Sequence, residues 1–378
     1  MQYKAFEDFY REHAIKHLVL AEYHGSLVSP PFATELCKDY NKLLIWNGKP
    51  NYVELDIPSA TSKFNGAEVI GDSLWMIPYG IWDEFNVALE LKDDTSIIHQ
   101  LPAKGKGQYY SLAGYNNKGF SFPLGYSDTE YCLKIEDGSI SQIDFPCPKK
   151  AHMGTVYCNG GFWSPPRSDE PGYTTIVGYR DEEFIKVDIS VEKLTTRKYS
   201  DFIAKDNVLY SLPFGETAGL CDIIEFDTET LEYTLHKIDI PDFAKKYNCG
   251  VLVKDVIIAL PYGDEHGQDS RYGLIFNTVT KEYKVFDIDI GFGGKYRFRS
   301  GIEFNNYAVF FPTGTPTCPI MVIDHLGNVK KSISLEGYLL GRPVKYQNRL
   351  ATIAHELNTG LHYLIFLDAN FNLEFVLV

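Results

Sequence analysis

The sequence predicts an all-β fold: one domain of consecutive four-stranded antiparallel units. Three observations carry this. A punctuation mark recurs down the chain, an apolar strand followed by proline and often by an aromatic residue and glycine. It falls at positions 30, 78, 123, 165, 213, 261, 312 and 354, so the gaps are 48, 45, 42, 48, 48, 51 and 42. A period of that size marks stacked repeats, each too small to bury its own apolar face. Second, the residues between marks alternate or cluster as short strands bounded by turn residues. Third, aromatics reach 14%, with 26 Tyr and 24 Phe, and such side chains favour half-buried strands.

In chain order, residues 5–16 suit a short helix within an N-terminal segment over 1–16, with Phe6, Phe9, Tyr10 and His13 on one face. The repeats then cover 17–378, as units over about 17–57, 64–101, 107–146, 152–198, 200–240, 248–290, 299–336 and 340–378. The mark reads Trp75-Met76-Ile77-Pro78-Tyr79-Gly80, then Phe122-Pro123-Leu124-Gly125, then Trp163-Ser164-Pro165-Pro166. It returns as Leu212-Pro213-Phe214-Gly215, Leu260-Pro261-Tyr262-Gly263 and Phe311-Pro312-Thr313-Gly314. Leu27-Val28-Ser29-Pro30 is its first instance, and Thr352-Ile353-Ala354-His355 its last, with alanine for proline. Proline ends the second strand because it cannot donate to the ladder.

One unit shows the strand order. Cys249–Val253, Asp255–Leu260, Tyr272–Asn277 and Tyr283–Ile288 read as four strands, with a polar loop between the second and third. The turn from third to fourth recurs as Phe226-Asp227-Thr228-Glu229-Thr230, Ile323-Asp324-His325-Leu326-Gly327-Asn328 and Leu367-Asp368-Ala369-Asn370. Asp opens such turns by accepting from downstream backbone amides. A small residue recurs 11 to 13 positions before the mark: Gly66, Ser111, Gly154, Ser200, Gly250, Gly301 and Gly341. Small residues let neighbouring first strands converge.

Period and strand pattern together resemble the β-propeller families, kelch-like and WD-like in general layout. The resemblance covers roughly 17–378 and rests on no diagnostic motif. It implies a ring of eight blades, or of seven if residues 1–57 form a cap. No kelch double glycine follows the second strand, no WD dipeptide recurs from unit to unit, and the sialidase Asp-box and the quinoprotein tryptophan-docking motif are absent from the sequence.

Bulk properties bound the function. Net charge is −14, from 36 basic and 50 acidic residues, which opposes nonspecific nucleic-acid binding and anionic membrane surfaces. The start of the chain has no apolar core of a secretory signal, and no apolar run reaches membrane-spanning length. The seven cysteines are scattered and form no C-x-x-C pair. Together these suggest reduced packing thiols and a cytoplasmic protein.

Candidate site residues follow from the layout. In a propeller, loops from second to third strand share a face with the segments leading into the next blade. That face collects Trp82, Arg167, Asp264, His266, Arg271, His355 and Glu356 from the loops, and basic residues beside the first strands: Lys63, Lys106, His152, Lys198, Arg297, Arg299 and Arg342. One hypothesis is an anionic or sugar-like ligand in the funnel, gripped by Arg299 and Arg342 with help from His152. The competing reading is that these charges pair with the acidic loops and hold blades in register.

Asp264, Glu265, His266 and Asp269 could serve acid–base or hard-metal chemistry, but match no EF-hand. His355-Glu356 stands where the mark breaks its rule. His13 and His17 lie at i, i+4 on the predicted helix, a spacing that can chelate, although packing is the simpler role. No catalytic triad, phosphate loop or Rossmann motif is present. No metal or cofactor is indicated.

The first functional reading is therefore a binding propeller, taking a small molecule, glycan or protein on its polar face. An enzyme is the alternative, a lyase, hydrolase or isomerase acting on a carbohydrate or small anion. A third reading is a subunit of a larger assembly.

Overall fold

Strands form where β-branched and aromatic residues run between Asp, Asn and Gly turns, and the turns are tight. Asn116, Asp137, Asn159, Asp206 and Asn305 all take positive φ between paired strands, a conformation that Asn and Asp tolerate better than most residues. The computed structural model describes residues 12–378 apart from 81–82, 103–104, 125–128, 148–151, 153, 192–193, 218, 242–243, 264–270, 289–296 and 314–317. Of the predicted helix, residues 5–11 lie outside the described residues, Glu12 is helical, and 13–16 are not. His13 already turns away, its carbonyl accepting from the Ile15 amide at 3.1 Å and from the Thr34 hydroxyl at 2.5 Å.

Eight consecutive antiparallel sheets make the chain an eight-bladed β-propeller. Blade 1 comprises Ala21–Tyr23, Ser26–Ser29, Lys42–Trp46 and Pro50–Glu54; blade 2, Phe64–Ile70, Ser73–Pro78, Val87–Lys92 and Thr95–Gln100. Blade 3 comprises Ala113–Tyr115, Lys118–Ser121, Tyr131–Glu136 and Ser139–Asp144; blade 4, Val156–Cys158, Gly161–Ser164, Thr175–Arg180 and Glu183–Asp188. Blade 5 comprises Ile203–Lys205, Val208–Ser211, Asp222–Asp227 and Tyr233–Lys237; blade 6, Val251–Val253, Val256–Ala259, Tyr272–Asn277 and Tyr283–Asp287. Blade 7 comprises Ser300–Phe304, Tyr307–Phe311, Ile320–Ile323 and Val329–Ile333. Blade 8 is built on Arg349–Glu356, His362–Leu367 and Leu373–Leu377, with Val344–Tyr346 paired to the first of these. Second and third strands are apolar on both faces because both are covered: Ser73–Pro78 is buried throughout, whereas the fourth strand Pro50–Glu54 is almost wholly exposed.

The fold divides into two compact units. The first (residues 1–157, 344–368 and 372–378) has its core between blades. Val28, Leu43 and Phe64 pack with Leu74, Met76 and Val87. The first and last blades meet within it, where Leu20, Leu27, Leu44 and Trp46 pack on Tyr346, Ala351, Ile353 and Phe366. In the second unit (158–343 and 369–371), Tyr210, Ile223, Ile257 and Phe276 join blades 5 and 6, and Val251, Ile258, Phe310 and Met321 join blades 6 and 7. The predicted small residues do bring blades together. A Cβ on Gly250 would come within 2.6 Å of Ile203 and 2.7 Å of Leu212 in the preceding blade, and one on Gly301 within 2.5 Å of Val251.

The proline mark does more than stop a strand. In blade 2 the Tyr79 and Gly80 amides donate back to the Lys63 and Ser62 carbonyls, both at 2.8 Å, in the segment leading into the same blade. Forward, the Gln108 amide donates to the Tyr79 carbonyl at 2.8 Å and the Tyr109 amide to the Pro78 carbonyl at 3.2 Å, ahead of blade 3. The same lacing recurs in the second unit, Phe214 to Lys198, Lys246 to Phe214 and Tyr247 to Pro213. Proline lacks an N–H, but its carbonyl is free to accept the next blade.

Blade 8 departs from this. Ala354 keeps the amide that proline removes elsewhere, and Arg349–Glu356 runs for eight residues, pairing Ala354 with Tyr363 and His355 with His362. His355 and Glu356, expected in a loop, are therefore strand residues.

Candidate ligand site

The segments leading into the blades each place a polar side chain at an equivalent point, and the structure separates these into two groups. Lys63, Gln108 and Lys198 stand 45 and 90 positions apart and are buried. Each turns back to the preceding blade and donates to a carbonyl of its second-to-third loop. Lys63 Nζ donates to the Lys38 carbonyl at 2.6 Å and to the Tyr40 carbonyl at 3.0 Å. Gln108 Nε2 donates to the Phe85 carbonyl at 2.6 Å. Lys198 Nζ donates to the Pro171 carbonyl and, at 2.6 Å, to that of Thr195. Burial pushes Lys63 down to about 8, a fall that Asp39 and Asp83 oppose. His152 is likewise buried, its ring between Phe122 and Phe145, its backbone bridged to Leu124. In this setting Lys63 and His152 are blade-to-blade fasteners.

A second group converges in the second unit. Arg167 is buried in the second-to-third loop of blade 4, its guanidinium 4.5 Å over the Phe214 ring. Its Nη1 donates to Ser200 Oγ at 2.8 Å and to the Tyr199 carbonyl at 3.3 Å. Ser200 Oγ donates on to Asn248 Oδ1 at 3.4 Å, and Asn248 Nδ2 to the Arg299 carbonyl at 3.4 Å. Beyond these, Ser300 and Thr313 share a 2.6 Å hydroxyl contact, and Thr313 Oγ1 donates to the Gly341 carbonyl at 3.4 Å. The chain of contacts thus ties the lead-ins of blades 5, 6 and 7 to the segment that carries Arg342.

Asp201 sits inside this cluster. Its Oδ1 is shut off from solvent with no hydrogen-bond donor among the described residues. Burial raises its carboxyl above the usual range, and the nearby positive charges of Arg342 and Arg167 pull it back. Next to it the Cys249 thiol is pushed up by burial and by the Asp201 charge, and so stays protonated at neutral pH. The cluster brings together two arginines, a hydroxyl, an amide and a carboxyl oxygen without a donor among the described residues.

The other predicted residues fall elsewhere. Trp82, Asp264 and His266 lie outside the described residues. Arg271 stands at the surface, 61% exposed, paired with Asp287 at 3.2 Å. His355 is buried in the first unit, 4.7 Å from the His362 ring and 6.2 Å from that of His13. Glu356 takes the Thr359 hydroxyl at 2.7 Å and, on its carbonyl, the Gly360 amide at 2.9 Å, closing the turn. Among the described residues no group of three or more His, Cys, Asp or Glu is placed to hold a metal ion. Sequence reasoning placed Arg167, Arg299 and Arg342 on one face but missed Asp201, Ser200 as a hydroxyl ligand, and Asn248. The available signal was position: Asp201 directly follows Ser200, the recurring small residue of its repeat.

No protein-family model and no curated protein sequence matches this chain. Solved structures match its fold. Apo AztD from Citrobacter koseri superposes with a TM-score of 0.54 at 10% identity, over 96% of this chain and 94% of that one. The dihydro-heme d1 dehydrogenase NirN in complex with DHE gives a TM-score of 0.62 at 8% identity, over 98% and 79%. A protein from Lactobacillus plantarum gives 0.51 at 11% identity, over 77% and 90%. At such identities the likeness concerns the fold alone. With the eight four-stranded sheets, it identifies the chain as a β-propeller and leaves function to its own residues.

Proposed function

We propose that the propeller is a binding protein for a small organic anion that also carries a hydroxyl or amine. Amino acids, hydroxy acids and sugar acids are the chemical classes that fit. The observation that carries the reading is the Asp201 Oδ1, buried without a donor beside two arginines. A shut-off carboxyl oxygen costs stability unless a partner arrives. A ligand donor would meet that oxygen, while its anionic group would sit on Arg167 and Arg342, whose planar forks suit carboxylate and phosphate. The protonated Cys249 favours binding over nucleophilic chemistry at this point.

The test is a thermal-shift and calorimetric screen of those three classes on the full chain and on Asp201→Asn and Arg342→Ala. One class is expected to raise the melting temperature of the parent protein, and both substitutions to abolish the shift. A ligand whose affinity both variants retain, or no response from any class, would overturn the assignment.

A further inference from the structure

The first unit contains a cleft of about 270 Å³, lined by Lys16, His17, Tyr40, Lys42, Tyr52, His362 and Val378. It shares no residue with the Asp201 cluster, and nothing above uses it. Its polar tips have set directions. His17 Nδ1 lies 3.1 Å from the Pro30 carbonyl, which can only accept, so Nδ1 carries the proton. His17 Nε2 is then the acceptor, and the Tyr40 hydroxyl donates to it at 2.9 Å. His362 Nε2 accepts the Lys16 amide at 3.1 Å, so it too is unprotonated there.

Both rings stay neutral well below neutral pH. Burial pushes His17 down to about 4 and His362 to about 2, with the charge of Lys16 adding to both. The positive charge of the cleft therefore comes from two ammonium groups. Lys16 lies 5.4 Å from the Tyr40 ring centroid, and Lys42 has only a loose, exposed contact with Glu54 at 3.7 Å. The walls are aromatic: Tyr40 stands edge-on to His17 with centroids 5.2 Å apart, and Tyr52, 40% exposed, lies tilted beside it. One cation over an aromatic ring and a second in the same lining, in a chain of net charge −14, are matched by a flat anion whose ring stacks while its charge meets the lysines.

We propose that this cleft is a second binding site, for a planar aromatic or conjugated carboxylate. Three probes separate the contributions: benzoate (flat, charged), cyclohexanecarboxylate (puckered, charged) and benzamide (flat, neutral). Calorimetry on the full chain is expected to show benzoate binding at least about tenfold tighter than either of the others. The His362 and Tyr52 ring signals should shift in NMR as benzoate is added. Lys42→Gln and Tyr52→Ala, both at the surface, should each weaken benzoate several-fold, and Lys16→Gln with Lys42→Gln should bring it to the benzamide level. Asp201→Asn should leave benzoate binding unchanged, which separates this site from the first. The proposal fails if benzoate binds no tighter than benzamide or cyclohexanecarboxylate. It fails equally if affinity survives loss of both lysines, or depends on Asp201.

Discussion

The Lys63 ammonium donates to the carbonyl of Lys38 at 2.6 Å, from the entrance of one blade into the loop of the blade before it. A second bond to the Tyr40 carbonyl, at 3.0 Å, completes the clasp. Lys63→Met keeps the stem and removes the donor shared by the two carbonyls, of which that of Lys38 retains only the Ala60 amide at 3.3 Å among the described residues. It should lower stability by roughly 2–4 kcal/mol, read as a fall in the urea midpoint at constant m-value. Gln108→Leu, which removes a neutral donor from the equivalent place, should cost less. Equal losses would show that the charge adds nothing.

Gly178 lies beneath the Trp163 indole, its direct cross-strand partner. A Cβ there would run into ring atoms Cζ3 and Cε3. Gly178→Ala should therefore destabilise by about 1–3 kcal/mol through overpacking. In the Trp163→Leu background the same change should be nearly free. A double-mutant cycle measures that coupling, and additive losses would refute the clash.

Stability should fall in acid for a reason local to blade 8 and the segment before blade 1. His17 and His355 are held near 4, and His362 near 2, against an ordinary value of 6.5. Burial is the main cause, reinforced by neighbouring positive charge. The unfolded chain takes up these protons below pH 6.5 and the folded chain does not, so folding weakens as pH drops from 6.5 toward 4. His355→Phe should flatten that limb of the stability curve measured by chemical denaturation.

Glu68, on the first strand of blade 2, acts in the opposite sense. Burial raises its carboxyl from 4.5 to about 7. The folded state then holds a proton that the unfolded state has lost, so its contribution is full below pH 4.5 and disappears as pH rises through 7. Glu68→Gln should raise the melting temperature at pH 8 and leave it little changed at pH 4.5.

Asp201→Asn should separate function from stability. The net upward shift of the Asp201 carboxyl means that burial outweighs the arginines, so a neutral amide of the same shape is the cheaper occupant at pH 7. The variant is expected to melt higher than the parent while losing the proposed ligand. A lower melting temperature would mean that the carboxylate is a structural counter-ion for Arg167 and Arg342.

Much of the fold could be read before any coordinates. The mark at Pro78 or Pro213 reports a local fact, a residue that cannot donate to a ladder, and its recurrence counts the blades. Strands such as Ser26–Ser29, Lys42–Trp46 and Tyr272–Asn277 follow from apolar runs between turn residues. Glycines such as Gly250 and Gly301 announce the crowding they relieve. Even the exception could be read, since Ala354 for proline signals an odd blade.

What that exception does was beyond reach: without the proline the strand simply continues, and His355 is buried beside His362, with the His13 ring 6.2 Å away. The fate of the charges was equally hidden. Lys63, beside a first strand, and Arg167, in a second-to-third loop, read as basic residues of one face, yet one clasps carbonyls of the preceding blade and the other borders a buried carboxyl. Residue type and spacing determined the repeat, because backbone hydrogen bonding and period-two burial act within a few residues. Tertiary structure alone decided that Asp201 lies among Arg167 and Arg342, and that Lys16 meets His362 across 346 positions of sequence. Desolvation and charge pairing depend on what the fold brings alongside, not on what the chain places next.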